Sequence, residues 1–437
     1  MSHPGSTPST LVSHLGRYRD GDWDAQVLAR TKLCLLDSLA CFSAGLGLHH
    51  FQQSLIGFQK SFSHISSAAG AAYVYGQASN ALDYDDTLIG HPGAPIVGAV
   101  LAIAAEENLP EDRILGGIAG GYEAHAFLCS AALPSPQHAA NVRSVGIWDT
   151  VAAAIGILIA RNADAEAIER VIGVAAAHTI LPYTAKWYDR PVPAMKNNMG
   201  WIAMGAVLSA NLAEAGQTGV TNVLDGENGM WRMAGSDRWQ PDPQPLAMKP
   251  AVLRVGFKRF PGCWHTQQYL KALSDLLETV EPEDRIEEII VYGPEDVEKF
   301  CSPVIAGTAD IAFSLRALFS KLIDHVEPGP RWETEIADNS ETFAFRFEHA
   351  EQPGLSIRTV RGKVQNALVA VSKGFDLASG GLDGDGVVAK FMQLTADDLR
   401  NAGQFFLGGD RQIAGNHVPG DLYDTLRSTV SGLLSSQ

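Results

Sequence analysis

The sequence predicts a mainly α-helical protein into which a smaller α+β region is inserted, and three observations predict it. Up to about residue 250 the chain is a succession of apolar, Ala- and Gly-rich segments with helical spacing and short polar joints, and nothing alternates with period two. The composition then changes at Gln240–Pro250, where QPDPQPLAMKP holds four prolines and reads as a linker or cover loop. Beyond it, short alternating runs sit between helical ones. The expected layout is an all-helical domain from residues 1–250 and 390–437, with an α+β domain over 251–389. A chain of 437 residues, 46% of them hydrophobic, is long enough for more than one core, since single cores stop growing near ~250–300 residues.

Taken in order, the Ser-, Pro- and Thr-rich first ten residues read as a tail. From Asp24 to Leu46, Val27, Leu28, Leu33, Leu35, Leu36 and Leu39 recur at helical spacing. The small-residue run SSAAGAAYVYGQASNALD follows, and then Ile96–Ala105, IVGAVLAIAA, carries no charge and is expected to be buried on all sides. ILGGIAGGYEAHAFLCSAAL, VGIWDTVAAAIGILIA and AEAIERVIGVAAAHTI, the last starting at Asp164, read as further helices. Past the linker, VLRVGFK is expected as a short strand, and TQQYLKALSDLLETV as a helix with Leu270, Leu273, Leu277 and Val280 on one face. IEEIIVYG reads as a strand, ADIAFSLRALFSKLI as one helix, ETFAFRF and LSIRTVRG as strands, and GGLDGDGVVAK as the return to the first domain.

A net charge of −16 argues against nucleic acid or an anionic membrane as a partner, because both need a basic face. It leaves room for a small acidic substrate in a local basic pocket. Cys34, Cys41, Cys129, Cys263 and Cys301 show no CxxC spacing, so neither a zinc site nor a disulfide framework is written here. The N-terminus lacks the pattern of a secretory signal, and no stretch approaches ~18 uninterrupted apolar residues. A soluble, cytoplasmic protein is expected.

Candidate chemistry gathers in three segments. NALDYDDTLIGHPGAP packs Asp83, Asp85, Asp86, Thr87 and His91 into one turn-rich stretch just before the charge-free helix, which places it inside the protein. The bland reading is that these Asp residues cap helix starts. AKWYDRPVPAMKNNMGW puts Lys196 at the start of a small-residue helix, where free backbone N–H groups favour an anion. In VGFKRFPGCWHTQ, Lys258 and Arg259 end the expected strand and His265 falls in the first turn of the next helix, among Phe257, Phe260 and Trp264. Surface placement is the ordinary reading of either cationic segment. Together the three supply an acid/base imidazole, carboxylates and two separate cations, the ingredients for moving a proton beside a substrate carboxylate. DYDDTL also resembles the DxDxT start of haloacid-dehalogenase-type phosphatases, but that motif follows an apolar strand, and Gly76-Gln77-Ala78-Ser79-Asn80 stands there instead.

At these residues the chain resembles the MmgE/PrpD family, which includes 2-methylcitrate dehydratase, cis-aconitate decarboxylase and iminodisuccinate epimerase. LLDSLA near Leu36, LDYDDT with HPGAP, GYE at Gly121–Glu123, the Lys196 segment, LDGENG at Leu224–Gly229, FKRFP with CWHTQ, and AFSL at Ala312–Leu315 match in order. The resemblance implies a helical domain made by both chain ends, an inserted α+β lid, a homodimer, and a site that needs no metal or organic cofactor. It carries Asp83, Thr87, His91, Lys196 and Lys258 across as residues that bind a di- or tricarboxylate and shift its protons. His265 is similar to the dehydratase pattern and is a second acid/base candidate, whereas DYDDT resembles the decarboxylase and generic members. Gln267 stands where many members have His. Arg143 offers a different carboxylate contact where a histidine is common, and Arg259 is a further candidate. The expected activity is a methylcitrate-dehydratase-like hydro-lyase. Decarboxylation, epimerisation and non-catalytic carboxylate binding are the alternatives.

Overall fold

The computed structural model describes residues 6–62, 67–139, 146–180, 190–192, 197–302, 304–334, 343–370, 380–404 and 420–435. It is mainly helical with one small sheet. Helix α1 (Thr7–Asp20) begins inside the segment expected as a tail, because the Ser6 side chain accepts from Ser9 N and Pro8 occupies the first turn. Helix α2 (Ala25–Gly45) starts at an Asp24 cap, and α3 (His49–Ser61), α4 (Ala68–Ser79), α5 (Gly93–Glu107) and α6 (Glu111–Ala131) follow. Every residue of α5 from Gly93 to Ala105 is buried, as its lack of charge predicts. Helices Asp149–Ala160 and Met199–Glu214 pack against it, and Ala165–Ala176, capped by Asp164, packs on those two.

Small residues set how closely these helices approach. α6 crosses the Asp149–Ala160 helix at Gly117 and Gly156, where a Cβ on Gly117 would fall 2.6 Å from Gly156 O and one on Gly156 would fall 2.7 Å from Gly117 O. Any larger residue would force the pair apart.

A second hydrophobic core is separate from the first and runs from Phe260 to Val369, with Val192 added from upstream. Its sheet has the order β2-β1-β3-β4, with β1 (Ile286–Gly293) parallel to β2 (Ala344–His349) and antiparallel to β3 (Gly354–Thr359), and β3 antiparallel to β4 (Val364–Leu368). Buried Ile289 and Val291 pair with Ile357 and Leu355, and the helices Gln267–Leu277 and Leu315–Ile323 complete the core. The chain is back in the first core by Val387, in the helix Gly384–Leu394 that packs on α2.

Two further local expectations are corrected and one strand is added. VLRVGFK is not a strand: Ala251–Arg254 is a 3-10 turn following Pro250, and among the described residues the segment's one pairing is an isolated bridge between Gly256 and Thr87. The helix expected over ADIAFSLRALFSKLI breaks at Ser314, which is extended and caps Leu315–Ile323 through its hydroxyl, leaving 3-10 geometry at Thr308–Phe313. Strand β4 was not expected, because Val364 and Leu368 face solvent at an edge and leave no apolar stripe to read. Among the described residues no single helix is long and apolar enough to cross a membrane.

Candidate active site

The loop between α4 and α5 carries the cluster, and Asp83, Asp85, Asp86, Thr87 and His91 are all buried. Its backbone departs from ordinary geometry, with Asp83 at φ 50°, Ile89 at φ 52° and Gly90 at φ 148°. Positive φ at a β-branched residue is costly and persists only where the surroundings impose it. The bridge between Thr87 and Gly256, with both N–H to O distances 2.9 Å, lays the Val255–Lys258 segment along this loop. From there the Lys258 ammonium, fully buried, donates to Asp83 Oδ1 and to Asp83 O, each at 2.7 Å. Burial alone would depress its pKa, but the neighbouring carboxylates of Asp83 and Asp85 outweigh that and raise it, so the lysine stays charged.

His91 lies on the other side of the same carboxylate, its Nε2 3.7 Å from Asp83 Oδ1. Its Nδ1 is 3.3 Å from Asp85 Oδ2. Asn80 Nδ2 donates to both Asp85 oxygens at 2.9 and 3.1 Å, and Asn197 Nδ2 donates in turn to Asn80 Oδ1 at 3.0 Å. Burial pushes the Asp85 carboxyl up, but His91 and Lys258 beside it more than offset this and hold it below its ordinary value. Asp85 Oδ2 and the Asn80 amide nitrogen both stand 3.3 Å from Nδ1; with the Asn80 hydrogens bonded to Asp85, the ionised carboxylate favours the tautomer protonated at Nδ1.

Asp86 has a different task. Its Oδ1 accepts from Gly93 N at 3.0 Å, capping α5, and its Oδ2 accepts from Tyr122 OH. A Cβ on Gly93 would fall 2.6 Å from Asp86 Oδ1, so only glycine leaves room for the cap. Burial and the nearby charge of Asp37 push the Asp86 carboxyl up to about 7. The helix-capping reading is thus right for Asp86 alone among these aspartates. A second buried pair supports the loop from below: Lys390 Nζ donates to Asp37 Oδ1 at 2.7 Å and to Tyr84 O at 2.8 Å, and Tyr84 OH donates to Arg259 O at 2.9 Å.

The structure therefore brings Asp83, Thr87, His91 and Lys258 together. Arg259 is exposed, and it is its backbone that joins the site's framework. His265 packs with Trp264 and Phe300 at ring separations of 3.9 and 5.3 Å, and its Nδ1 is 3.3 Å from Cys263 Sγ. Lys196 and Arg143 lie outside the described residues. Gln267 holds the turn after Lys258: its Oε1 accepts from Arg259 N and Phe260 N at 3.2 Å each, and its Nε2 donates to Phe260 O at 2.9 Å. Sequence reasoning missed Asn80, Asn197 and the part played by Asp85, whose only signal was membership of the acidic run.

Asp83, Asp85 and His91 also present one donor atom each within 4.8 Å of one another, a spacing a divalent cation could bridge. The fixed ammonium of Lys258 on Asp83 already supplies positive charge to that spot, so a metal would have to compete with it.

Fold and cluster together define a mainly helical protein that buries an imidazole and paired carboxylates on one loop, against an ammonium brought in from a distant segment. A family model described as the MmgE/PrpD N-terminal domain matches residues 9–242, more than half of the 437 residues, and the chain belongs to the MmgE/PrpD family. No curated protein matches it.

Proposed function

We propose that this chain is a cofactor-independent lyase acting on a small di- or tricarboxylate, like 2-methylcitrate dehydratase. Membership of the MmgE/PrpD family supports a dehydratase- or lyase-like enzyme. The observation that carries the reading is that His91 and Lys258 approach one oxygen of Asp83, at 3.7 and 2.7 Å, in a buried cluster. In this reading His91 Nε2 takes the proton from the carbon α to a carboxylate. The freed electron pair forms the double bond, and the β-hydroxyl leaves as water after taking up a proton. Asp85 keeps the imidazole proton on Nδ1. Two of the three Lys258 donors are committed to Asp83, and the third grips a substrate carboxylate. Thr87 hydrogen-bonds substrate, Lys196 holds a second carboxylate with Arg143 and Arg259 as further contacts, and His265 is the candidate second acid. The reading carries with it a lid role for residues 251–389, a homodimer and a cytoplasmic setting.

The DYDDT form of the first motif, which resembles the decarboxylase and generic members, supports decarboxylation as a second outcome, and epimerisation would share the same carbanion-like intermediate. Incubation with citrate, methylcitrate, cis-aconitate and iminodisuccinate in deuterated water, followed by NMR, tests both. Deuterium at the α carbon or an alkene product is expected. Binding across the panel with neither label nor product would replace the enzyme by a carboxylate-binding protein.

A further inference from the structure

We propose that His125 is a positioning residue: its buried ring, held between Asp149 and the backbone oxygen of Leu88, keeps the turn that presents His91 in its left-handed conformation. The inference rests on the catalytic role assigned to His91 above. It starts from Ile89, a β-branched residue at φ 52° two positions before His91 and followed by Gly90 at φ 148°. Some contact must hold so unfavourable a turn. Within the loop, Leu88 N donates to Gly90 O at a long 3.3 Å. The short contact comes from outside: His125 Nε2 lies 2.6 Å from Leu88 O.

His125 stands on α6 and is itself pinned, with Nδ1 2.5 Å from Oδ1 of Asp149, the first residue of the helix packed against α6. Both residues are buried. A carbonyl oxygen can only accept, so Nε2 must carry a proton, and the carboxylate facing Nδ1 favours a proton there as well. The Cys129 thiol, 3.7 to 3.8 Å from the ring nitrogens, is the other titratable neighbour. With both nitrogens engaged, the ring cannot trade a proton with substrate. What it can do is fix Leu88 O, and through Ile89 the direction in which His91 leaves the turn. His91 reaches Asp83 and Asp85 only across 3.7 and 3.3 Å, so a small relaxation of Ile89 toward negative φ would misalign it.

Removing His125 alone leaves Asp149 buried without its cation, so the informative comparison is between two uncharged pairs. In His125→Gln/Asp149→Asn the glutamine amide can donate to Leu88 O while its oxygen accepts from the asparagine. In His125→Leu/Asp149→Asn nothing donates to Leu88 O. The leucine pair is expected to lose kcat by about ten- to a hundredfold with KM little changed, the size of effect a displaced catalytic group produces. It should also show faster amide hydrogen exchange over residues 83–91, and the glutamine pair should recover most of both. Adding Ile89→Gly, which adopts positive φ without strain, should partly restore kcat in the leucine pair. Equal kcat and equal loop exchange in the two pairs would overturn the inference. The exchange measurement needs no substrate, so if the wild-type chain turns over no carboxylate, the reaction proposed above fails while the anchor is still judged on its own.

Discussion

Lys258 holds Asp83 at both ends, its ammonium 2.7 Å from Oδ1 and 2.7 Å from the backbone oxygen of the same residue. Gly262 N adds a second bond to that backbone oxygen at 3.2 Å, so the left-handed Asp83 is fixed by groups 175 to 179 positions away in the chain. Lys258→Met is expected to weaken substrate capture by roughly ten- to a hundredfold, the equivalent of one charge-assisted contact. It should also cost about 3–5 kcal/mol of stability, because it strands a buried carboxylate. Asp83→Asn in the same chain should regain most of that stability and none of the turnover. Urea unfolding and kcat/KM read the two effects separately; unchanged kcat/KM in Lys258→Met would remove this lysine from the site.

Asp85, 3.3 Å from His91 Nδ1, is the carboxylate placed to hold a proton on that nitrogen, while Asp83 pairs with Lys258. Asp85→Asn can donate an N–H to Nδ1 and so favours the opposite tautomer, with Nε2 protonated and unable to act as a base. The expected result is a fall in kcat of about 10²–10⁴-fold with KM changed only severalfold. His91→Gln should abolish deuterium exchange into substrate while leaving binding detectable by calorimetry. Retained exchange in His91→Gln would show that another group takes the proton.

Much of this was legible in the sequence, for reasons that can be named. The absence of charge in Ile96–Ala105 predicts a helix buried all round, and that burial in turn places the preceding acidic loop inside the protein. Residue type and the family resemblance singled out Asp83, His91 and Lys258 as candidates, and the fold brings those three into one buried cluster. It could not divide labour among neighbours: Asp83, Asp85 and Asp86 are alike in the sequence, yet one faces Lys258, one faces His91 and one caps α5 with Tyr122. Those roles depend on which direction each Cβ leaves a loop containing left-handed residues, which no periodicity encodes. Gln267 misleads in the same way, since a departure from the family's usual histidine gives no hint that its amide clasps the turn after Lys258. His125 and Asp149 lie 24 positions apart in apolar helices, and their pairing comes from the packing of those two helices, which approach closely at Gly117 and Gly156.

Asp86 gives a pH dependence with a definite sign. Its carboxyl is raised to about 7 by burial and by Asp37, against about 3.9 in an unfolded chain. A group raised on folding contributes stability that is fully present below the unfolded value and is lost as pH rises through the folded one. Asp86→Asn keeps an acceptor for Gly93 N and offers Tyr122 a partner without ionising. Relative to this variant, the wild-type chain should lose stability between about pH 4 and pH 7, at up to about 1.4 kcal/mol for each unit of the shift. Parallel urea titrations across that range measure the difference; parallel stability curves would mean that Asp86 ionises in the folded state as readily as in the unfolded one.

The pair of Asp37 and Lys390 joins α2 to the helix that brings the chain back into the first core, and it touches the site through Tyr84 O. Burial raises the Asp37 carboxyl, with Lys390 working against that rise. Lys390→Met removes the opposing charge, so Asp37 will bind its proton more tightly in the folded state than it does now. The variant should therefore be least impaired at low pH and lose stability progressively as pH rises above the ordinary carboxylate range, reaching about 3–5 kcal/mol when Asp37 is left charged and unpaired. Asp37→Asn with Lys390→Met should abolish that added slope. Lys390→Met should also lower kcat, because Tyr84 O loses its donor and Tyr84 lies between Asp83 and Asp85; the double variant, which restores charge balance but not that donor, should keep the kcat defect. Recovery of kcat along with stability in the double variant would show that Lys390 serves the fold alone and leaves the loop geometry to Lys258.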